Sequence, residues 1–229
     1  MGFRTGLLAA LILASGCGGT LVLDDDGALV LIPHETGSQG HVIIEAMINE
    51  RGPFKFALDT GATISVIFDD TREKAGLDLI TDERVLVHGV VGIGDFPLTI
   101  IADLQVGSES CPDARVASLP ALGDDSLEID GILGVYFLGR YAVGVSPTDQ
   151  DGRLYPPAVV SERSYFGWVS IPMEKLRIGR GVAPAYTINL SNNNVTIPAL
   201  LDLGAGANLM NWNTSSSIRA RPIKPGGRN

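Results

Sequence analysis

The sequence predicts an all-β protein in which a first lobe is followed by an incomplete second copy of it. Three observations lead to this fold class. From His41 onward, short apolar runs alternate with turn residues, as is typical of strands. A glycine-rich segment between two of these runs is typical of a hairpin. Finally, an apolar run that ends in an aspartate recurs without a gap 143 residues later (202 − 59 = 143).

Composition limits the classes of partner. The chain has 229 residues with 45% hydrophobic content, which suffices for one large or two small domains with true cores. The 17 basic and 26 acidic residues give a net charge of −9, and the basic residues are scattered until the tail. We therefore expect the body of the protein to bind neither nucleic acid nor an anionic membrane surface.

The first residues carry the features of an export signal. The apolar run from Leu7 to Leu13 is too short to span a bilayer, which favours a signal peptide over residues 1–16. The following "ASGC" resembles a bacterial lipobox. This resemblance implies that Cys17 is the lipidated first residue of a mature lipoprotein, anchored in the cell envelope at the outer membrane or the periplasmic face. The alternative is an ordinary cleaved signal, with Cys17 as a small residue beside the cleavage site.

After a predicted spacer over residues 17–40, "HVIIEAMINERGPFKFALDT" predicts two strands joined by a turn, the second ending at Asp59. A carboxylate at the end of an apolar run is unusual, because an unpaired charge loses solvation there. Asp59 therefore requires a compensating partner.

Two further segments belong to the same predicted lobe. Gly89, Gly92 and Gly94 interrupt two apolar strand runs, which predicts a mobile hairpin. Their spacing differs from the dinucleotide-binding fingerprint, so a phosphate cradle is not expected. Further along, "IDGILGVYFLG" predicts an apolar strand that stops at a glycine and passes into a helical turn.

The motif Asp-Thr-Gly-Ala, followed by the glycine-rich hairpin and then Ile-Leu-Gly at 132–134, resembles the lobe of retropepsin-like and pepsin-like aspartic proteases over roughly residues 41–146. The resemblance implies that Asp59 is a catalytic carboxylate and that Thr60 donates its hydroxyl across a pseudo-twofold axis. It also implies that Gly61 lets the backbone turn close to the carboxylate and that the hairpin is the flap. A polypeptide substrate is implied, and neither a cofactor nor a metal.

This chemistry needs two aspartates. Two carboxylates about 3 Å apart do not both ionise readily, so the pair shares one proton and titrates in two separated steps. One group acts as a base toward a water molecule, and the other acts as an acid toward the scissile carbonyl. A single lobe supplies half of the site.

The second half of the predicted two-aspartate site is found in an internal repeat. The segment "TIPALLDLGAGANLMNWNT" aligns without a gap on "PFKFALDTGATISVIFDDT", so Asp202 matches Asp59 and Gly204 matches Gly61. We therefore expect a linker over residues 147–162, a partial second lobe over 163–214 and a disordered tail over 215–229. The alternative is a chance recurrence of Asp-x-Gly-Ala after an apolar run.

Two departures leave alternatives to a single-chain protease open. Leu203 stands where Thr60 stands in the first lobe, so the cross-loop hydroxyl bonds cannot both form. With the same offset, a second flap would fall near residue 235 (92 + 143), beyond residue 229. One alternative is a homodimer that pairs Asp59 from each chain. The other is a non-catalytic module that binds peptides or proteins.

Overall fold

The computed structural model describes residues 9–12, 30–36, 40–89, 92–121, 128–146, 151–157, 169–177, 184–192 and 194–210. Cys17 and the tail predicted to be disordered lie outside these residues, as does much of the predicted linker. Strands dominate the described residues, so the all-β prediction is confirmed. No helix among them is both long and apolar enough to cross a bilayer.

The strands and helices are numbered in chain order. They are β1 (Ala9–Ile12), β2 (Val30–Thr36), β3 (Val42–Ile48), β4 (Arg51–Leu58), β5 (Val66–Phe68), α1 (Asp69–Lys74), β6 (Leu79–Gly89), β7 (Gly92–Val106), β8 (Glu109–Leu119), β9 (Gly131–Leu133), α2 (Val135–Leu138), β10 (Ala142–Ser146), β11 (Asp151–Tyr155), β12 (Met173–Arg177), β13 (Pro184–Asn192) and β14 (Val195–Leu200).

Six of these strands close into a barrel. Their order is β3-β4-β9-β5-β8-β7, and β7 pairs with β3 to complete the ring. Strands β4 and β9 run parallel, as do β5 and β8, whereas the other neighbours in the ring are antiparallel. Closure leaves these strands without a free edge. Their inward side chains are almost fully buried, including Ile44, Ile48, Phe56, Leu58, Ile67, Ile101, Leu104 and Leu133.

Additional strands extend the sheet on both sides of the barrel. On one side β2, β11, β10 and β1 follow β3 in that order, and on the other side β6 pairs with β7. Strand β1 lies in the predicted signal peptide, β2 in the predicted spacer and β11 in the predicted linker. The predicted boundaries of those segments stay predictions, and each of the segments contributes a strand to the sheet.

A separate three-stranded sheet precedes Asp202, the aspartate of the predicted second lobe. Its order is β12-β13-β14, and both pairings are antiparallel. Subtracting the repeat offset of 143 places β12 at 30–34, β13 at 41–49 and β14 at 52–57, which coincide closely with β2, β3 and β4. The repeat therefore has the same order of strands as β2, β3 and β4, and in each copy an aspartate follows the third of these strands.

Candidate active site

Asp59, which directly follows β4, is held by its own loop and by the neighbouring strand β9. Its backbone N–H donates to the carbonyl of Leu133, at the end of β9, over 3.0 Å. Its Oδ1 accepts the backbone N–H groups of Gly61 at 2.7 Å and Ala62 at 2.8 Å. These bonds fix the orientation of the Asp59 carboxylate, because both amides belong to the tight turn after β4.

The loop after β14 repeats part of this arrangement. Oδ1 of Asp202 accepts the backbone N–H of Gly204 at 2.8 Å, with the same two-residue separation as in the first loop. The loop is tied to its own sheet where the N–H of Leu201 donates to the carbonyl of Tyr186 over 3.0 Å. The matching turn explains why the sequence repeat keeps the aspartate and the glycine.

The two loops meet face to face through their glycines. A Cβ atom on Gly61 would lie 2.5 Å from Oδ2 of Asp202, and one on Gly204 would lie 2.4 Å from Cγ of Asp59. Real side chains do not approach so closely, so both positions require glycine. The approach is reciprocal, as expected for two halves related by a pseudo-twofold axis. It brings the carboxylates together, and Asp59 shares a side-chain hydrogen bond with Asp202.

Thr60 joins the two loops from one side only. Its buried Oγ1 donates to the carbonyl of Leu201 at 2.7 Å and accepts the backbone N–H of Leu203 at 3.0 Å. The Leu203 side chain has no hydroxyl with which to return these bonds. It is partly buried against the main hydrophobic core instead. The cross-loop contact is therefore polar on the Thr60 side and apolar on the Leu203 side.

The surroundings of Asp59 favour its protonated form. The pKa of Asp59 is raised from 3.8 to about 6, chiefly by burial and further by the charge and the hydrogen bond of Asp202. The amides of Ala62 and Gly61 act in the opposite direction, because they stabilise the carboxylate. At mildly acid pH the pair therefore retains a proton, which a general acid requires.

The glycine-rich hairpin is present where the sequence predicts it. Strands β6 and β7 pair with Gly89 opposite Gly92 and with Val87 opposite Gly94. A Cβ on Gly94 would lie 2.3 Å from the ring of Phe96, so the ring lies directly over this glycine. At the base of the hairpin Nε of Arg84 bonds Oδ2 of Asp95 across the strands at 2.7 Å. Its role as a flap stays a prediction.

The described residues contain no group of three or more His, Cys, Asp or Glu side chains arranged to hold a metal ion. Two residues that sequence reasoning missed support the Asp59 loop: Ser65, whose Oγ accepts the N–H of Gly134 at 3.1 Å, and Asp130. An aspartate directly before a buried strand was the available signal for Asp130.

Comparison with known proteins identifies the first lobe. Residues 44–137 match the profile of the aspartyl protease family. These residues form an aspartyl protease lobe. The matched range of the aspartyl protease lobe includes Asp59, the hairpin and β9, whereas the Asp202 loop lies outside it. Proteins of this family act on polypeptides, so a hydrolase acting on protein is the coarse function that the family indicates.

Solved structures include a similar protein. The crystal structure of a retropepsin-like aspartic protease from Rickettsia conorii is 22% identical, and the match covers 55% of this chain and 89% of that one with a TM-score of 0.40. No curated protein matches the chain.

Proposed function

We propose that the protein is an aspartic endopeptidase in which Asp59 and Asp202 of the same chain form the catalytic dyad. The observation that carries this proposal is the reciprocal approach of the two loops, with Gly61 against the Asp202 carboxylate and Gly204 against the Asp59 carboxylate. The shared hydrogen bond between the two carboxylates is the arrangement that a proton-sharing pair needs.

The proposed reaction moves two protons. In the first step the ionised carboxylate removes a proton from a water molecule, whose oxygen attacks the scissile carbonyl carbon, while the protonated carboxyl donates its proton to the carbonyl oxygen. In the second step the carbon–nitrogen bond breaks, the leaving nitrogen receives the proton taken from water, and a hydroxyl of the tetrahedral intermediate returns its proton to the other carboxylate. The raised pKa of Asp59 supports Asp59 as the initial acid.

The hairpin of β6 and β7 acts as the flap in this proposal. Its glycines permit backbone excursions that the flanking strands do not. Leu86 and Ile93 are exposed on the hairpin, with 63% and 65% of their surface accessible. Such exposed apolar side chains suit contact with a polypeptide.

Hydrolysis by charge-neutral variants tests the proposed dyad. Asp59→Asn and Asp202→Asn should each abolish cleavage of an unfolded protein substrate at mildly acid pH, because one carboxyl group cannot serve as acid and base together. Asp103→Asn is the matched control, since that partly buried carboxylate accepts the hydroxyl of Ser110 on the β7–β8 hairpin, away from the two loops. A silent Asp202→Asn variant, with activity that falls on dilution, would favour the homodimer. A folded wild-type protein without hydrolysis would favour the binding module.

We also propose that the protein is an exported lipoprotein acylated at Cys17. The support is the short apolar run followed by "ASGC" near the start of the chain. One acyl chain binds membranes only marginally, so stable anchoring requires more than one. Cells labelled with a fatty-acid analogue should label the wild-type protein and not Cys17→Ser. Equal labelling of both proteins, or of neither, contradicts the proposal.

A further inference from the structure

A short segment lies directly behind the Asp59 loop. This backing segment, residues 130–136, runs from the residue before β9 into α2. Four hydrogen bonds join it to the loop. They are Asp59 N to Leu133 O (3.0 Å), Val135 N to Ala62 O (2.8 Å), Tyr136 N to Thr63 O (3.2 Å) and Gly134 N to Ser65 Oγ (3.1 Å). The position of the loop therefore depends on the position of the backing segment.

The backing segment packs closely against the backbone of its neighbours. A Cβ on Gly131 would lie 2.4 Å from the carbonyl oxygen of Val66, and one on Gly134 would lie 2.7 Å from that of Ala62. These contacts are with backbone atoms, which do not yield as a flexible side chain does. A displacement of the backing segment is thus transmitted to the loop.

Asp130 fixes the start of the backing segment. Its Oδ2 accepts the backbone N–H of Lys55 on β4 at 2.7 Å, and its Oδ1 accepts the hydroxyl of Thr71 on α1 at 3.0 Å. Its own N–H donates to the carbonyl of Lys55 at 2.6 Å, and its carbonyl accepts the N–H of Phe68 at 3.1 Å. Asp130 therefore connects β4, α1 and the end of β5 at one point.

We propose that Asp130 is a positioning residue for the Asp59 carboxylate, acting through the backing segment. The inference rests on the proposed hydrolytic function. The carboxylate of Asp130 fixes β9 against β4 in the register that places Phe56 opposite Gly131 and Leu58 opposite Leu133. That register brings the Leu133 carbonyl to the backbone N–H of Asp59. Asp130 itself bonds to Lys55 and Thr71 rather than to either aspartate of the dyad.

The side-chain chemistry at this position requires two acceptors. Both partners of the Asp130 carboxylate are donors, one a backbone amide and one a buried hydroxyl. Asparagine offers one acceptor oxygen and two N–H donors, so it satisfies only one of them. Thr71→Val removes the hydroxyl alone, at constant shape, and is the milder variant.

Amide hydrogen exchange tests the positioning role without depending on activity. In Asp130→Asn and Thr71→Val, the amides of Asp59 and Val135 should exchange about tenfold faster, because the bonds of the backing segment open more often. Amides of the β7–β8 hairpin should be unchanged. Asp103→Asn is the control variant, because its hydrogen bond with Ser110 lies away from the backing segment. Uniformly faster exchange across the barrel, or no change at Asp59, would overturn the proposal.

Kinetics provides the second measurement. Active sites are first counted by titration with an inhibitor. In Asp130→Asn and Thr71→Val, kcat per active site should fall about 10- to 100-fold with KM unchanged, because a small displacement of a reacting group slows the chemical step. A purely structural role would lower the number of active sites and leave kcat per site unchanged. That result overturns the proposal.

If the wild-type protein hydrolyses nothing, the proposed function fails, and exchange at Asp59 still decides whether Asp130 positions the loop. If Asp130→Asn does not fold, Thr71→Val carries both measurements.

Discussion

At the scale of single residues, Thr60 and Leu203 occupy equivalent positions in the two loops but make different contacts. Thr60 accepts and donates a hydrogen bond across the interface between the loops, whereas Leu203 packs against the core. The sequence indicated that the two cross-loop hydroxyl bonds cannot both form, because Leu203 has no hydroxyl. The structure shows that the Thr60 hydroxyl satisfies both of its bonds, so the interface retains one complete polar contact.

Replacing Leu203 by threonine should strengthen the interface between the loops. A second hydroxyl would return the bonds that Thr60 makes, and a net hydrogen bond contributes about 1 kcal/mol. We expect kcat/KM of Leu203→Thr to rise about two- to tenfold. Leu203→Val is the matched control, because valine has the shape of threonine without its hydroxyl. If both variants change kcat/KM equally, the added hydroxyl does not strengthen the interface between the loops.

The pKa of Asp59 predicts a dependence of stability on pH. Because the folded-state pKa of about 6 lies above the ordinary value of 3.8, the folded protein binds this proton more tightly than the unfolded chain. The contribution to stability is therefore present below about pH 4 and lost as pH rises through about 6. Relative to Asp59→Asn, the wild-type free energy of unfolding should fall by on the order of 2 kcal/mol from pH 4 to pH 7.

Urea denaturation of both proteins at several pH values measures this difference. Asp70→Asn provides a control of opposite sign, since a hydrogen bond with Lys74 is the largest effect lowering the pKa of Asp70. The Asp70 contribution is present at neutral pH and lost on acidification. If the difference in the free energy of unfolding between wild type and Asp59→Asn does not change with pH, burial and Asp202 do not favour the protonated form of Asp59.

At the scale of elements, the hairpin of β6 and β7 carries the next prediction. A statine-containing peptide, which mimics the tetrahedral intermediate, should slow amide exchange about tenfold at residues 87–89 and 92–94 by ordering the flap. The turn at Gly107, between β7 and β8, serves as an internal control. Equal protection at both turns, or none at either, would contradict a cleft beneath the glycine-rich hairpin.

Local elements could be predicted from the sequence because their signals are local. An apolar run that stops at Asp59, glycines at the hairpin and an apolar run before Gly134 each depend on neighbouring residues. Pairing between distant segments carries no such signal. The addition of β2 and β11 to the sheet, and the parallel contact of β4 with β9, depend on residues far apart in the chain. The position of Asp130 before a buried strand was a local signal, but its partners Lys55 and Thr71 lie far from it in the chain, so its hydrogen bonds could not be predicted.

At the scale of the whole molecule, the chain combines one closed barrel with a smaller sheet that repeats β2, β3 and β4, of which β3 and β4 belong to the barrel. The internal repeat could be predicted because its alignment has no gap around Asp59 and Asp202. Its consequence for the site could not, because a sequence alignment gives equivalence and not proximity. The central claim is that both aspartates of one chain form one site.

The stoichiometry of inhibitor binding tests this claim most directly. A tight-binding statine-containing peptide occupies one dyad, because it resembles the transition state that both carboxylates stabilise. Titration calorimetry at mildly acid pH, with folded protein of known concentration, counts the sites. A dyad within one chain predicts one inhibitor bound per chain. One inhibitor per two chains would contradict it and show that the dyad forms between Asp59 residues of two copies. No binding at all would contradict the presence of a protease site.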